Sequence, residues 1–328
     1  MHRSHAHIRI REVGGHNSSG WPERVVQKSV HSLKYVKYKV DTWTDDLKGA
    51  VAGGIQYLRE EMNPGILNLH RRDFKNIGDL ECASLRHVAA AKPIYCLDLK
   101  NVMGGLLEKH PTTPIVIGGG GLFYFAKEIN EVTARHKGPV VGWAIGRNRH
   151  FNTRGSSVAD DRFALLGVRD WDSGHEWVPC ASCMSPLFDR FRDVSPVHDI
   201  VVYEHRSCRL GLKNHPTMDN RCMDLEKVLG FLASGDTVVT NSYHGSYWAK
   251  LLGRKLIMVP FSDRLLHFRY PVPIATRENY LEHINKTIDY PEALSICRER
   301  NIEFAEKVSD VIGIELKFRQ PSLQTSAA

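Results

Sequence analysis

The feature that most constrains the fold of this chain is the segment 236–260, which reads as a strand, a tight turn, a helix and a second strand. The runs 237–240 and 256–259 are short and β-branched or aliphatic, which is typical of parallel strands buried on both faces. The segment between them has apolar residues at helical spacing and ends at Gly253, a common C-terminal stop. The pattern predicts a parallel βαβ unit with His244 at the turn. Ligands and anions bind at that edge of α/β sheets.

The same alternation of short apolar runs and helical stretches continues along most of the chain. It indicates parallel βαβ units and an α/β fold. No glycine- or serine-rich linker divides the chain, so the predicted boundary is the stretch 185–198, which is rich in proline, arginine and aspartate. Strands are predicted at 66–69, 93–97, 115–117, 140–144 and 200–203, and helices at 50–62, 80–90, 122–136, 225–232 and 290–316.

Four regions follow from this pattern. Residues 1–64 form an N-terminal extension, residues 65–190 the first Rossmann-like domain, and residues 198–316 the second, which includes a C-terminal helix. The polar end of the chain, 317–328, is predicted to be disordered. Two Rossmann-like domains facing a cleft are the simplest assembly of such units.

Bulk composition restricts the classes of protein to which the chain can belong. Its 328 residues, 42% hydrophobic and 25% charged, are typical of a soluble globular protein with two domains of ordinary size. A net charge of +7, with 17 histidines, suits an anionic substrate or an anionic membrane surface. Nucleic acid is a disfavoured partner, because the sequence has no basic run with interleaved aromatic residues and no nucleic-acid motif.

The cysteines and the hydropathy pattern bear on location. Seven cysteines, an odd number scattered over the chain, favour a reducing compartment. The first residues have no apolar signal core, and no run approaches the ~20 apolar residues of a membrane helix. We therefore expect a cytoplasmic protein, either free or at the inner face of the membrane. The single pair Cys180-x-x-Cys183 is a weak zinc signal, so packing is the expected role and no metal site is predicted.

Four consecutive glycines follow the predicted strand at 115–117, namely Gly118, Gly119, Gly120 and Gly121. Such a run permits close approach of the backbone to a phosphate and leaves helix amides unshielded. A tight strand-to-helix crossing without a ligand explains it equally well. The run is not a dinucleotide-binding fingerprint, because Phe123 stands where the last glycine of that motif belongs.

A second candidate site is the loop after the strand at 66–69, which contains Asn76, Gly78 and Asp79. The carboxylate of Asp79 suits the cap of the helix that follows, and capping is the expected role for this residue. Asn76 has less structural work to do at this position. It is therefore the better candidate for contact with a ligand.

Two charged or titratable positions complete the candidates. Arg169 and Asp170 follow an apolar run, where the usual explanation is a surface ion pair. At a strand end in a cleft, however, Arg169 would bind a carboxylate or phosphate in bidentate fashion. His244 is either a helix-start residue satisfied by backbone contacts or a proton-transfer group, for which its pKa is suited.

Four of these segments, in the same order, resemble the motifs of the polysaccharide pyruvyl transferase family. They are Lys75-Asn76-Ile77-Gly78-Asp79, which resembles the N-x-G-D loop; 115–122, which resembles the apolar strand and glycine-rich turn; Val168-Arg169-Asp170 with Ser173, which resembles V-R-D-x-x-S; and 236–253, which resembles the strand, the Arg-Leu-His-Gly turn and the helix ending Leu-Leu-Gly. The chain departs from the family at one point, because Ser242 and Tyr243 stand where the family has arginine and leucine.

The resemblance implies two Rossmann-like domains in a glycosyltransferase-B-like arrangement. It also implies transfer of a pyruvyl group from phosphoenolpyruvate to a sugar of a polysaccharide or its precursor, as a ketal, with phosphoenolpyruvate as co-substrate and no metal or redox cofactor. The partner is a saccharide acceptor, free or lipid-linked. In this interpretation His244 is the acid/base, and donor or substrate is bound by Asn76, Gly78, Asp79, Gly118, Gly119, Gly120, Gly121, Arg169, Ser242, Tyr243, Gly245 and Arg264.

Two alternatives remain open from the sequence. One is a nucleotide-sugar-dependent glycosyltransferase on the same two-domain frame. The other is a non-catalytic saccharide-binding protein of a polysaccharide assembly system, which the missing arginine at Ser242 would suit. If the protein is a pyruvyl transferase, another cation replaces that arginine, and the candidates are Arg147, Arg169, Arg206 and Arg264.

Overall fold

The structure of the protein, a computed structural model, describes residues 64–101, 104–146, 158–261 and 267–319. The predicted helix at 50–62 and nearly all of the predicted extension at 1–64 lie outside these residues. The strands, in chain order, are β1 (Ile66–His70), β2 (Val88–Ala90), β3 (Ile94–Asp98), β4 (Ile115–Gly118), β5 (Val140–Ile145), β6 (Leu165–Val168), β7 (Glu176–Trp177), β8 (His198–Glu204), β9 (Thr217–Asp219), β10 (Gly235–Thr240), β11 (Lys255–Met258) and β12 (Leu316–Phe318).

The helices alternate with these strands, as the sequence predicts. The α-helices are α1 (Ile77–Glu81), α2 (Gly104–Lys109), α3 (Ala126–Arg135), α4 (Leu187–Phe191), α5 (Leu225–Ala233), α6 (Tyr243–Leu251) and α7 (Ala293–Ile312), and short 3-10 helices occupy Ser84–His87, Leu99–Asn101, Leu122–Phe125, Asp160–Arg162, Ala181–Met184 and Tyr280–Lys286. The predicted α/β class is therefore correct.

Two parallel sheets form the described part of the chain. The first has six strands in the order β3-β1-β4-β5-β6-β7, and every neighbouring pair is parallel. The second has four strands in the order β11-β10-β8-β9, again all parallel. Their central strands are buried apolar runs, as expected for sheets covered on both faces. Parallel pairing places the carboxyl ends of all strands of a sheet at one edge.

The C-terminal helix α7 belongs to the cores of both sheets. Near its start, Leu294 and Cys297 pack among the buried residues of α5 and α6 on the second sheet. Near its end, Phe304 and Val308 pack against Trp143 and the buried faces of the first sheet. One continuous helix thus closes two apolar cores.

The end of α7 corrects two sequence-based boundaries. The helix was expected to reach residue 316, but Gly313 adopts a left-handed conformation (φ 65°) and stops it. The chain then forms β12, which pairs antiparallel with β2. Lys317 and Phe318, assigned from sequence to the disordered tail, are therefore part of a strand, and the Phe318 ring packs on Trp143 at 6.2 Å between centroids. Residues 320–328 lie outside the described ranges.

The predicted helix at 80–90 is wrong. After α1 the chain makes a 3-10 turn and then strand β2. Two tertiary contacts override the helical pattern. The hydroxyl of Ser84 donates to the carbonyl of Trp143 (3.1 Å), and β2 is held by β12. Such contacts are with residues distant in sequence, so local periodicity does not reveal them.

Asn301 is the polar centre of the junction between α7 and the first sheet. It is fully buried, and its Oδ1 accepts a hydrogen bond from the indole Nε1 of Trp143 (3.0 Å). Its Nδ2 donates to the carbonyls of Pro179 (3.1 Å) and Cys297 (2.9 Å). The amide therefore satisfies the buried indole and ties the helix to the loop after β7.

We predict that Asn301→Leu lowers the free energy of unfolding by about 2–4 kcal/mol, because it leaves the buried Trp143 N–H and the Pro179 carbonyl without partners. Urea denaturation followed by circular dichroism measures the change. The neighbouring exposed residue supplies the control, and Ile302→Ala is expected to cost less than about 1 kcal/mol. Equal effects of the two substitutions would contradict the role assigned to the amide.

Candidate functional site

The candidate site lies at the carboxyl ends of strands from both sheets. The first sheet contributes the loops that follow β1, β4, β5 and β6, and the second sheet contributes the turn between β10 and α6. This is the edge at which α/β sheets bind ligands. All four sequence motifs, which are far apart along the chain, reach it.

The loop after β1 is organised by Asn76 rather than by Asp79. Asn76 is the N-cap of α1, and its Oδ1 accepts from the N–H of Gly78 (3.2 Å). Its Nδ2 donates to Oδ2 of Asp79 (2.9 Å), which orients that carboxylate. The capping role expected from sequence for Asp79 therefore belongs to Asn76. Asn76 is the cap, while Asp79 faces the glycine turn, with Oδ1 4.0 Å from the point a Cβ on Gly120 would occupy.

Gly78 brings this loop into direct contact with His244. A Cβ on Gly78 would lie 2.1 Å from Nδ1 of the imidazole, so any other residue would displace the ring. The contact joins a loop of the first sheet to the first turn of α6 on the second. The glycine is needed here for close approach rather than for an unusual backbone angle.

His244 is buried on its other sides by sulfur and aromatic groups. Its Nε2 lies 3.8 Å from Sγ of Cys180, and its ring centroid is 5.2 Å from that of Trp248. Burial raises the pKa of Cys180, so this neighbour is a neutral thiol at physiological pH. Only 8% of His244 is exposed to solvent, which excludes a surface role for the residue.

The glycines after β4 have two roles: the first two allow close packing, and the last two have backbone N–H groups that are free in the described part of the chain. A Cβ on Gly118 would lie 2.3 Å from Oγ of Ser84, and one on Gly119 would lie 1.7 Å from the carbonyl oxygen of Cys82. Tight crossing therefore accounts for these two residues. Gly120 also has a positive φ (82°), and a Cβ there would lie 3.3 Å from Sγ of Cys82, a tighter contact than ordinary van der Waals packing. The amides of Gly120 and Gly121 donate no hydrogen bond within the described residues.

Arg169 is the buried cation of the site. It is 4% exposed, and the surface ion pair considered from sequence is excluded because Asp170 is buried as well. The guanidinium carbon lies 3.6 Å from the ring centroid of Tyr243, a cation–π contact. The Nε and Nη1 atoms have no hydrogen-bond partner in the part of the chain that the structure describes. Burial opposes the charge of Arg169, but neighbours that include Tyr243 and Asp170 hold its pKa above the ordinary value.

Gly146 makes room for the Arg169 side chain. A Cβ on Gly146 would lie 2.1 Å from Nε of Arg169. The N–H of Gly146 also donates to the carbonyl of Gly120 (2.7 Å). The glycine turn, Gly146 and the guanidinium are therefore contiguous. Gly146 was missed from the sequence, although its place directly after a predicted strand was an available signal.

The turn between β10 and α6, together with the start of α6, contains Ser242, Tyr243 and Gly245. Ser242 is the N-cap of α6, and its Oγ accepts from the N–H of Gly245 (3.3 Å). Tyr243 stacks on Phe268 (4.7 Å between centroids) opposite its contact with Arg169. A Cβ on Gly245 would lie 2.5 Å from the ring of Tyr203. These three residues thus support the turn, and Tyr243 also positions the guanidinium.

The other candidate cations differ from Arg169. Arg206 pairs with the buried carboxylate of Asp73 (2.7 Å) and donates to the carbonyl of Lys75 (2.9 Å), so it fastens the loop after β1 to the end of β8. Arg147 and Arg264 lie outside the described residues. Among the described candidates, Arg169 is therefore the cation with hydrogen-bonding capacity left over.

Packing is the role expected from sequence for Cys180 and Cys183. No group of three or more histidine, cysteine, aspartate or glutamate side chains that could hold a metal ion occurs in the described ranges. Cys180 lies 3.2 Å from the hydroxyl of Ser182, and Sγ of Cys183 accepts from Nδ2 of Asn301 (3.4 Å). Both are buried free thiols that pack between the sheets.

Comparisons with known proteins leave the family open. No protein-family model and no curated protein matches the chain. Among solved structures, a functionally uncharacterized protein from Klebsiella pneumoniae subsp. pneumoniae NTUH-K2044 is similar, with a TM-score of 0.39 and 15% identity over 71% of this chain and 98% of that one. A similarity this low supports no conclusion about fold or function. In the described residues, no helix is both long and apolar enough to cross a membrane.

The buried His70, at the end of β1, stabilises the loop that follows this strand. Nδ1 of His70 lies 3.3 Å from the carbonyl oxygen of Asp79, to which the neutral ring donates. The side chain is 4% exposed, and burial lowers its pKa from 6.5 to about 4. The unfolded chain therefore binds a proton at this residue below pH 6.5, whereas the folded chain does so only below about pH 4.

We predict that the protein loses stability as the pH falls from 6.5 to 4, and that His70 accounts for on the order of 3 kcal/mol of this loss. His70→Asn keeps an N–H donor but removes the titration, so the dependence should flatten. Urea denaturation at pH 7 and pH 4.5 measures it, with the exposed His198→Asn as control. An unchanged slope in His70→Asn would show that the ring is protonated as readily in the folded chain.

Proposed function

We propose that the protein transfers a pyruvyl group from phosphoenolpyruvate to a sugar of a polysaccharide or its precursor, forming a ketal. The observation that carries the proposal is the buried Arg169, whose Nε and Nη1 lack partners in the described chain and which lies beside the glycine turn. A guanidinium buried in this way is costly unless an anion completes it. Phosphoenolpyruvate supplies a carboxylate and a phosphate.

The groups proposed to bind an anion lie on neighbouring loops at the carboxyl edge of the first sheet. Arg169 offers the N–H groups of two nitrogen atoms, Nε and Nη1, and Gly120 and Gly121 offer one backbone N–H each. Hydrogen bonds between these donors and a carboxylate or phosphate would be charge-assisted, and such bonds are stronger than those between neutral groups. In the proposal the guanidinium binds the donor carboxylate and the glycine amides bind its phosphate. Arg169 thereby takes the role of the arginine that Ser242 replaces.

The chemistry requires proton transfer in both directions. A proton is added to the methylene carbon of the donor, the central carbon becomes electrophilic, and a sugar hydroxyl attacks it and loses its proton. Phosphate then leaves with its bonding electron pair, and a second sugar hydroxyl closes the ketal and gives its proton to the departing phosphate. In the proposal His244 delivers the first proton, and Asp79, oriented by Asn76, accepts a proton from the sugar. No metal or redox step is needed.

The proposed function includes an arrangement of the two sheets as separate domains. Two parallel sheets contribute their carboxyl edges to one site, and this supports two Rossmann-like domains in a glycosyltransferase-B-like arrangement. The contact of Gly78 with His244 is the point at which the two meet. The protein would act on cytoplasmic saccharides or on lipid-linked precursors at the inner face of the membrane.

We predict that Arg169→Met weakens phosphoenolpyruvate binding at least tenfold, because the charge-assisted contacts are worth about 1.5–3 kcal/mol. The free energy of unfolding of the ligand-free protein should stay the same or rise, since an unsatisfied buried cation is removed. Isothermal titration and urea denaturation measure the two effects.

Arg206→Met is the matched control for this prediction. It leaves the buried carboxylate of Asp73 unpaired and is expected to cost about 3 kcal/mol of stability while the folded protein keeps its donor affinity. If Arg169→Met instead loses stability and keeps donor affinity, the guanidinium is structural and the proposed donor site is wrong.

We predict that His244→Gln lowers phosphate release from phosphoenolpyruvate by roughly 10²-fold, the scale of a lost general acid, with donor affinity little changed. The assay uses a library of oligosaccharides as acceptors. His215→Gln, at a histidine that bonds to the hydroxyl of Tyr280, should retain activity.

The same assay separates the alternatives. Release of nucleotide from a nucleotide sugar, without phosphate release from phosphoenolpyruvate, would assign a glycosyltransferase. Saccharide binding without turnover of either donor would assign a binding protein. Near-normal turnover in folded His244→Gln would remove the histidine from the mechanism.

A further inference from the structure

The exposed aromatic side chains of the described residues are confined to one edge of the first sheet. They are Phe74 (45% exposed), Tyr124 (52%) and Trp171 (49%). Phe74 lies in the loop after β1, Tyr124 in the segment after β4, and Trp171 directly after β6. These are the same loops that hold Asp79, the glycine turn and Arg169. Single exposed hydrophobic residues are common on proteins, but this distribution is not scattered.

The strand order fixes how the three rings are spaced. Along the sheet the order is β1-β4-β5-β6, so the loops of Phe74 and Trp171 are three strand spacings apart. At about 4.8 Å for each spacing this is about 14 Å. Tyr124 follows β4, which is the strand next to β1 in the sheet, and Phe74 follows β1. The loops that carry the rings therefore lie in a row along the sheet edge, over a distance longer than one sugar ring.

Trp171 is held rigidly although half of it is exposed. Its ring centroid is 5.3 Å from that of Trp177 with an edge-to-face angle of 83°, and the guanidinium of Arg269 lies 4.7 Å from both rings. The N–H of Trp171 donates to the carbonyl of His267 (3.1 Å). The indole of Trp177 donates to the carbonyl of Arg169 (3.1 Å), so the platform is tied to the buried cation.

The chemistry of this edge fits a saccharide better than a membrane or a protein face. The negative face of an aromatic ring attracts the polarised C–H groups on one side of a sugar ring. A guanidinium stacks beside Trp171, and another, from Arg72, lies 5.3 Å from the Phe74 ring, so donors for sugar hydroxyls accompany the rings. The exposed aliphatic side chains that a membrane or protein partner would cover lie outside these three loops.

We propose that Phe74, Tyr124 and Trp171 form an acceptor track that binds successive sugar units of an oligosaccharide or polysaccharide, with Trp171 holding the unit nearest to Arg169. This assignment rests on the proposed function in that it takes the bound saccharide as the pyruvyl acceptor. The substrate is accordingly a chain of sugars rather than a monosaccharide. The track also supplies binding energy remote from the reacting hydroxyls, which helps to orient them.

Binding to an array of oligosaccharides, graded from monosaccharides to hexasaccharides, tests the track. We expect affinity to increase with chain length. The best-binding hexasaccharide is then titrated calorimetrically into the wild type, Trp171→Ala and Phe74→Ala, and each substitution is expected to weaken binding about tenfold. Trp171→Phe, which keeps a ring, should recover most of the loss.

Val197→Ala is the control, because Val197 is exposed at the opposite, amino-terminal end of β8. It should bind the hexasaccharide as the wild type does. Each of three results would overturn the track: no oligosaccharide binds, monosaccharides bind as tightly as hexasaccharides, or the aromatic variants keep full affinity. Trp171-dependent binding to anionic phospholipid vesicles, with no saccharide binding, would overturn it in favour of a membrane surface.

The experiments separate a failure of the acceptor track from a failure of the proposed pyruvyl transfer. Phosphoenolpyruvate affinity should be unchanged in Trp171→Ala and Phe74→Ala, because neither ring belongs to the donor site. If the wild type binds long oligosaccharides through these rings but releases no phosphate from phosphoenolpyruvate, the track stands and pyruvyl transfer fails. If phosphate release persists and the aromatic variants respond to the hexasaccharide as the wild type does, the track fails alone.

Discussion

The contact between the backbone of Gly78 and the imidazole of His244 is the constraint on which the site depends. It places the loop after β1 against the first turn of α6, with no room for a Cβ between them. The ion pair of Arg206 with Asp73 fastens the same loop to the end of β8. The close approach of Gly78 to His244 sets the spacing between the two sheet edges that carry the site, and the buried ion pair adds a second, stabilising link between the same sheets.

Arg206 and Arg169 are both largely buried, but they differ in whether their guanidinium groups have hydrogen-bond partners within the described residues. Arg206 is satisfied by a carboxylate and a carbonyl, so its charge belongs to the structure. Arg169 is kept in place by the ring of Tyr243 and by the space at Gly146, yet two of its nitrogen atoms have no partner in the described residues. Protein interiors tolerate such a group where it serves binding, since its unsatisfied donors are available to an incoming anion.

Sequence patterns predicted the buried central strands because such strands are short apolar runs, and β1, β4, β5 and β10 fall within a residue or two of their predicted limits. The short edge strands β7 and β9 were not predicted. The patterns also failed at 80–90, where the partner of β2 is the distant β12. In the site, the motifs located His244, Asp79 and Arg169, but not which of Asn76 and Asp79 caps the helix. That choice depends on the direction of the Asn76 side chain, which spacing does not encode. Gly146 was missed because its role arises only from contacts across the fold, and the approach of Cys180 to His244 could not be predicted for the same reason.

Helix α7 and strand β12 have a consequence for biosynthesis. The ribosome makes the strands of the first sheet well before α7 and β12, so Phe304, Val308 and Phe318, which cover Trp143, emerge late. Until then the apolar face of that sheet is open, and β2 has no partner. Nascent chains in this state are prone to misassembly and are typical clients of chaperones. Truncation near the C-terminus should therefore impair folding of the part of the protein that was synthesised first.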